Sequence, residues 1–341
     1  MTNFSDNFPL GDRNTFGLDA TARYWAEFRT TGELRDIILA CRERHLPWYV
    51  LSGGSNLILT GNFPGVVIHP AAAEITLPEA TLVRAEAAVV WDELVAWTVE
   101  RGLGGLENLS LIPGLAGAAP VQNIGAYGAE AKDTIETVEY FDTETFDTVR
   151  IKGADCAFGY RDSIFKGALK GRAIVTAVEF RLVPEDTPGG GGYTYNIGYG
   201  DLHDRVEALG GPTLDHIRRA VIAIREAKLP DPAVTGNAGS FFKNPVIPAA
   251  QAERLREAYP EMPGYPSADG ETVKVPAAWL IDRAGWKGFR CGTVGVHPKQ
   301  ALVLINLGGA TAQEILNLAR RIIADVERKF GIALSMEVNV L

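Results

Sequence analysis

The chain has 341 residues, 46% apolar and 22% charged, as expected of an ordinary soluble globular protein with two or three domains. Lysine and arginine number 33 against 42 aspartate and glutamate, a net charge of −9, so the chain lacks the broad basic face that nucleic acid or an anionic membrane needs. The cysteines Cys41, Cys156 and Cys291 lie far apart and the histidines show no ligand spacing, which argues against a disulfide framework or a metal site and fits a reducing cytoplasm.

Residues 1–17 contain no apolar core of a signal peptide. The run Thr30-Thr31-Gly32-Glu33 reads as a capping box, and Leu34, Ile37, Ile38 and Cys41 form one stripe of the helix it opens. Pro47 ends that helix. Strands are predicted at 48–51 and 57–59, joined by Ser52-Gly53-Gly54-Ser55-Asn56, but no GxGxxG follows, so the dinucleotide fingerprint of a Rossmann fold is missing. Short strands follow over 66–90, then a helix from Trp91 to Arg101 burying Trp91, Leu94, Val95 and Thr98.

A second glycine-rich run covers 112–128, IPGLAGAAPVQNIGAYG; the longest weakly polar run, Leu109 to Val121, overlaps it, and is too short and too broken by Pro113, Gly114 and Gly117 to span a bilayer. The pattern over 137–183 is mostly strand, interrupted at 158–166 by FGYRDSIFK. Pro188 and Gly189 to Gly192 mark a flexible connection, and Thr213 caps a helix with the stripe Ile217, Ala220, Val221 and Ile224. We expect a domain boundary near residue 213. Beyond it come short helices, a strand at 301–306, a capping box at Thr311 and Glu314, and a final strand at 334–341.

The stretch GNAGSFFKNP at 236–245 has two readings. Small residues around Ser240, with Phe241 and Phe242 behind it, can hold a hydroxyl in a dry place where it exchanges a proton. The same residues also make a glycine turn and a strand with a core phenylalanine pair. Glycine turns at 52–56 and 112–128 can present amides to a diphosphate, or be simply sharp turns. Arg161, flanked by aromatics, can grip a carboxylate or pair with Asp162. Lys228 can be a solvated helix end, Glu337 a solvated strand charge and Tyr199 an ordinary loop aromatic.

Taken in order, NTFG, LSGGSN, GLENLSLIPGLAGAAPVQNIGAYG, FGYRDSIFK, IGYGDL, KLPDP, GNAGSFFKNP, AAWLID and HPKQALVLIN resemble the UDP-N-acetylenolpyruvoylglucosamine reductase family over nearly the whole chain. The resemblance implies an α+β protein of three domains: two, at 1–68 and 69–212, binding FAD in the manner of vanillyl-alcohol-oxidase-like flavoproteins, and a substrate domain at 213–333. The strand 334–341 would return near the active site, and a loop carrying Tyr199 resembles the type I subgroup. It implies an NADPH-dependent oxidoreductase of cytoplasmic peptidoglycan precursor synthesis, and so of cell wall biogenesis, cell shape and division. Its substrate would be the enolpyruvyl ether of UDP-N-acetylglucosamine, and nothing calls for more than a monomer.

By matching position, Arg161, Ser240 and Glu337 fall on the family's catalytic residues. Tyr160, Tyr199, Lys228, Asn244, Tyr265 and Gln300 fall at substrate positions. The cofactor would lie along Ser52, Gly53, Gly54, Ser55, Asn56, Pro113, Gly114, Gly117, Ala118, Ala119, Gln122, Asn123, Gly125 and Ala126. Two departures from the family stand out: Asn339 stands where an arginine is typical, and Ala118 and Ala119 where serine is frequent. A flavin oxidase of the same superfamily and a non-catalytic nucleotide-sugar binder are the competing readings.

Overall fold

The computed structural model describes residues 4–186 and 192–341. The flexible connection expected at 188–192 lies outside them, apart from Gly192. The chain divides into two compact units, one of Met1–Phe8, Ala22–Gly53 and Pro64–Ala227, the other of Pro9–Thr21, Gly54–Phe63 and Lys228–Leu341.

In the first unit the helix Thr31–Glu43 opens on the predicted capping box, with Thr30 and Glu33 each satisfying the other's backbone amide. Its buried stripe is Leu34, Ile37, Ile38 and Cys41, as the spacing requires. They pack with Val66 and Ile68 of the strand Phe63–Pro70, which runs parallel to Trp48–Val50 in a four-stranded sheet.

A five-stranded antiparallel sheet has the order Thr148–Lys152, Ile135–Asp142, Ala173–Arg181, Leu82–Glu86, Ile75–Glu79. Val138, Tyr140, Val178 and Phe180 share one core with Trp91, Leu94 and Val95 of the helix Trp91–Val99. Phe141 and Ile174 belong instead to the core of the helix Thr31–Glu43, so both faces of the sheet are covered and consecutive residues of its strands are buried. The helices Leu202–Ala208 and Leu214–Lys228 close on each other through Leu202, Val206, Ile217, Val221 and Ile224. The Thr213 hydroxyl accepts from the His216 amide at 3.1 Å, the cap its position predicts.

In the second unit an antiparallel sheet orders Gly236–Asn237, Leu304–Asn306, Val294–Val296 and Arg290–Cys291. The helix Ala312–Phe330 starts on the Thr311–Glu314 capping box, buries Ile315, Leu318, Ile322 and Val326, and ends at Gly331 in the left-handed region.

Two predicted strands are shorter than expected. The run 301–306 narrows to Leu304–Asn306, because the chain before it closes into a turn with the His297 amide on the Val303 carbonyl at 2.9 Å. The run 334–341 narrows to Asn339–Val340, parallel to Leu57–Ile58, with one isolated bridge between Met336 and Phe242. Leu334 and Val338 are buried but Met336 and Val340 are 36% and 47% exposed, because ladders this short carry only part of the apolar face into the core. Among the described residues no helix is long and apolar enough to cross a membrane.

Candidate active site

Within the first unit, Gly53 of one glycine run lies against Gly114 of the other. A Cβ built on Gly53 would come within 2.9 Å of the Gly114 Cα, so any larger residue at 53 would push the turns apart. The Gly114 carbonyl accepts from the Trp91 amide at 3.0 Å, tying the turn to the start of the helix Trp91–Val99. Ala116 and Gly117 donate to the carbonyls of Val89 and Ala87 at 2.8 and 3.1 Å. Ala118 and Ala119 donate back to Leu115 and Ala116 at 3.0 and 3.1 Å. Amides 116 to 119 are therefore spent within the fold. The Ser52 hydroxyl, by contrast, is buried with no protein hydrogen-bond partner, in the residue next to that glycine contact.

Arg161 sits at φ +54°, and the loop folds back so that Gly159 and Asp162 exchange backbone bonds at 3.0 and 3.3 Å. Its guanidinium donates to the carbonyls of Gly125 at 2.8 Å and Asn123 at 3.4 Å, and stands 5.6 Å from the Tyr160 ring centroid. Asn123, fully buried, locks the same junction. Its carboxamide donates to Gly159 O and Glu130 Oε2, both at 3.0 Å, and accepts from the Lys132 amide at 3.0 Å. The positive charge of Arg161 is thus aimed by the run expected to carry the cofactor. The Asp162 carboxylate accepts from the amide of Ser163 at 3.0 Å. Tyr199 is 49% exposed and meets the Tyr127 ring edge-on at 5.8 Å. Burial pushes the Tyr127 phenol above its ordinary range, with Arg225 pulling the other way.

In the second unit, a Cβ on Gly236 would fall 2.2 Å from the Phe16 carbonyl, so only glycine fits there. Asn237, 3% exposed, accepts from the Gly239 amide at 2.9 Å and donates to Thr235 O at 2.8 Å, which shapes the turn that delivers Ser240. Phe241 then donates to Leu302 O at 2.8 Å and accepts from the Glu337 amide at 2.8 Å, while Lys243 donates to Ser335 O at 2.9 Å. This ladder makes Ser240 and Glu337 backbone neighbours, although they are far apart in sequence.

Phe241 and Phe242 are buried, 5.2 Å apart, with Phe16 at 6.2 Å from Phe241. The core-pair reading of these two rings therefore holds, and Ser240, next to them in the chain, is half-buried. Gln300 joins the same neighbourhood: its side chain accepts from the Leu302 amide at 3.3 Å. Asn244 accepts from the Ala277 amide at 2.9 Å, capping the helix Ala277–Arg283 and orienting its NH2 group away from it.

Asn56 belongs to this unit too, its carboxamide reaching Glu337 O at 3.4 Å. Asn339 bonds the Asn56 carbonyl through both its amide and its side chain at 3.1 Å, and so pins the C-terminal strand. Lys228 is exposed at the end of the helix Leu214–Lys228, and Tyr265, 52% exposed, lies on Tyr265–Pro266, paired with Thr272–Lys274 rather than within the Ser240 ladder.

The sequence reading passed over Glu107 and Asn108, both buried, and Tyr193, which bonds Glu107 at 2.6 Å. The only signal was the ENLS run, whose polar residues have no evident place on an apolar turn.

A family model described as the UDP-N-acetylenolpyruvoylglucosamine reductase C-terminal domain matches residues 231–341, which hold Ser240 and Glu337. Across the whole chain, the reductase of that name from Pseudomonas aeruginosa is 47% identical over 333 residues, 96% of each chain. The chain belongs to the UDP-N-acetylenolpyruvoylglucosamine reductase family. The relative from Burkholderia lata is likewise 47% identical over 337 residues, 96% of this chain and 94% of its own. The crystal structure of the UDP-N-acetylenolpyruvylglucosamine reductase from Thermus caldophilus superposes with a TM-score of 0.68 at 25% identity, over 100% of this chain and 99% of that one. A family model described as an FAD binding domain matches residues 22–146, spanning both glycine turns. The expected α+β class, flavin-binding part and reductase part are all present in this reductase. The residues at the turns fit a flavin dinucleotide: the Gly53–Gly114 contact leaves backbone uncovered by side chains, and the Ser52 hydroxyl awaits a partner.

Proposed function

We propose that the protein reduces the enolpyruvyl ether of UDP-N-acetylglucosamine to UDP-N-acetylmuramate, with NADPH as the source of reducing equivalents. The reading is carried by the 47% identity that runs over 96% of the chain, and it assigns the catalytic roles to Arg161, Ser240 and Glu337, on which the resemblance of the motifs puts them. FAD, when bound along Ser52–Gly53 and the 113–126 run, supplies the hydride for the terminal carbon of the double bond.

The remaining chemistry falls to the chain's own side chains. Negative charge develops on the substrate's adjacent carbon and carboxylate, and Arg161 and Lys228 are assigned to balance it. Arg161 suits this because two backbone carbonyls and the Tyr160 ring fix its direction before substrate arrives. The proton for the adjacent carbon is assigned to the Ser240 hydroxyl. An unperturbed serine is a weak acid, but a carbanion next to a carboxylate is a strong base, so a positioned hydroxyl suffices. Glu337, held by the Phe241 carbonyl at its backbone, is assigned to orient the charged intermediate or share its proton. Tyr199, Asn244, Tyr265 and Gln300 are assigned to the sugar nucleotide. A cytoplasmic monomer is the form we propose, since each unit has a core of its own and the substrate is nucleotide-linked.

Two measurements test this reading. The purified protein is expected to be yellow, and to consume NADPH only when the enolpyruvyl UDP-sugar is added. Oxygen consumption at the same rate without the sugar would point to an oxidase, and a colourless protein that binds the sugar to a nucleotide-sugar binder.

A further inference from the structure

The turn Glu107–Leu109 lies in the run GLENLSL at 105–111, to which the proposed chemistry assigns nothing. It is a 3-10 helix with Glu107 1% exposed, Asn108 2% and Leu109 0%. Burying a carboxylate and a carboxamide side by side is costly unless their bonding capacity is used. Here most of it goes to Tyr127 and to residues 193–196. Asn108 Nδ2 donates to Tyr127 O at 2.8 Å and to Asn196 O at 2.6 Å. The Glu107 carboxylate accepts from the Gly105 amide at 2.7 Å and from the Tyr193 hydroxyl at 2.6 Å. Asn196 in turn donates from its own side chain to Gly128 O at 2.9 Å. Gly128 sits at φ +82°, and even a Cβ there would press the Asn196 carboxamide at 3.1 Å.

The segment held in this way, 192–199, has no helix or strand of its own and ends at Tyr199, whose ring rests on Tyr127. We infer that Asn108, supported by Glu107, is a positioning residue for Tyr199: it fastens the base of the tyrosine segment to the very residue on which Tyr199 packs. The inference rests on the reading of Tyr199 as a substrate contact. A loop free to wander lowers apparent affinity by the fraction of time it is out of place. Bonds from a buried turn meet that ordering cost before substrate arrives.

The test uses the flavin-loaded enzyme, Asn108→Asp and Asn196→Ala, reading amide exchange over 193–200 and steady-state kinetics with the enolpyruvyl UDP-sugar. Asn108→Asp keeps the volume but turns two donors into acceptors facing two carbonyls. It is expected to speed exchange over 193–200 and to raise KM for the sugar about tenfold, with kcat changed less than about twofold. Asn196→Ala cuts one bond at an exposed side chain, cannot disturb the core, and is expected to raise KM about twofold; it carries the test if Asn108→Asp does not fold.

Combined with Tyr199→Ala, Asn108→Asp is expected to add nothing further to KM. Unchanged exchange over 193–200, or KM effects that multiply in the double variant, would overturn the inference. An unchanged KM in Tyr199→Ala alone would instead overturn the substrate-contact reading of Tyr199, while faster exchange in Asn108→Asp would still support the anchoring.

Discussion

Arg161 and Ser240 are assigned to the same reaction but are held in place by different means. Among the described residues, all eight non-glycine positions with positive φ lie in the first unit, and six of them, Leu111, Asn123, Tyr127, Phe146, Ala157 and Arg161, fall between 111 and 161. Such conformations cost on the order of 1–3 kcal/mol each in unfavourable cases, and persist only where the surroundings enforce them. In this region polar groups do so: buried Asn123, the carbonyls of Asn123 and Gly125, and the folded-back Gly159–Asp162 turn. Ser240 needs no such strain outside glycine. Its place follows from a backbone ladder with 335–337 and from the packing of Phe241 and Phe242. The lesson is that one assigned catalytic group depends on side-chain hydrogen bonds around a strained loop, whereas the other depends on a regular backbone ladder backed by apolar burial, and the two should fail under different substitutions.

The largest expected effect is on chemistry alone. Ser240→Ala removes the assigned proton donor but no ladder bond, and should slow reduction of the sugar by about 10²–10⁴ while flavin reduction by NADPH proceeds as before. Stopped-flow measurement of the two halves separates them, and an equal loss in both would remove the serine from its role. Phe241→Ala instead attacks the support. Its ring is fully buried, so the second unit should lose about 3–5 kcal/mol in denaturant unfolding, and a loss under 1 kcal/mol would break the contrast drawn above.

The first unit should respond most to polar substitutions. Asp142 is 2% exposed and accepts from Arg172 Nε at 2.8 and 2.9 Å and from Nη2 at 2.6 Å. The Arg172 guanidinium holds its carboxyl below the ordinary aspartate value, against the opposing effect of burial. A depressed carboxylate adds stability above its unfolded pKa of about 3.9, and that stability is lost as pH falls through the folded value. Asp142→Asn should therefore cost about 2 kcal/mol at neutral pH, less than a fully buried pair because Arg172 is 37% exposed. The difference from the parent should shrink below about pH 4. Unfolding curves at neutral and acid pH would show it, and a constant difference would rule out the ion pair as its source.

The smallest effect sharpens the comparison most. A Cβ at Gly125 would lie 2.9 Å from Glu130 Cγ, 3.0 Å from Ala129 O and 3.2 Å from Arg161 Nη1. Gly125→Ala should lower kcat/KM about fivefold by displacing the guanidinium, with stability changed by about 1 kcal/mol or less. A stability loss larger than the catalytic one would mean that this glycine serves packing rather than Arg161.

How far the sequence could be read depended on the range of the interaction. Both capping boxes and the stripes of the helices Thr31–Glu43, Leu214–Lys228 and Ala312–Phe330 were legible, because they are set by residues three or four apart. The family was legible from long motifs in fixed order. The strand over 334–341 was overextended, since alternation marks what a strand can bury and not how much of it finds a partner. Glu107 and Asn108 escaped notice because a buried polar residue is recognisable only through partners 19 to 88 positions away.

The sequence by itself thus determined the helices, the family and the identity of the residues available for chemistry, because each is a matter of local pattern or of residue type. Only the tertiary structure decided that Ser240 and Glu337 share a ladder, that Gly53 and Gly114 touch, and that a buried asparagine fastens the segment bearing Tyr199. Those are meetings between distant parts of the chain, and they are settled by where the cores close rather than by any run of residues.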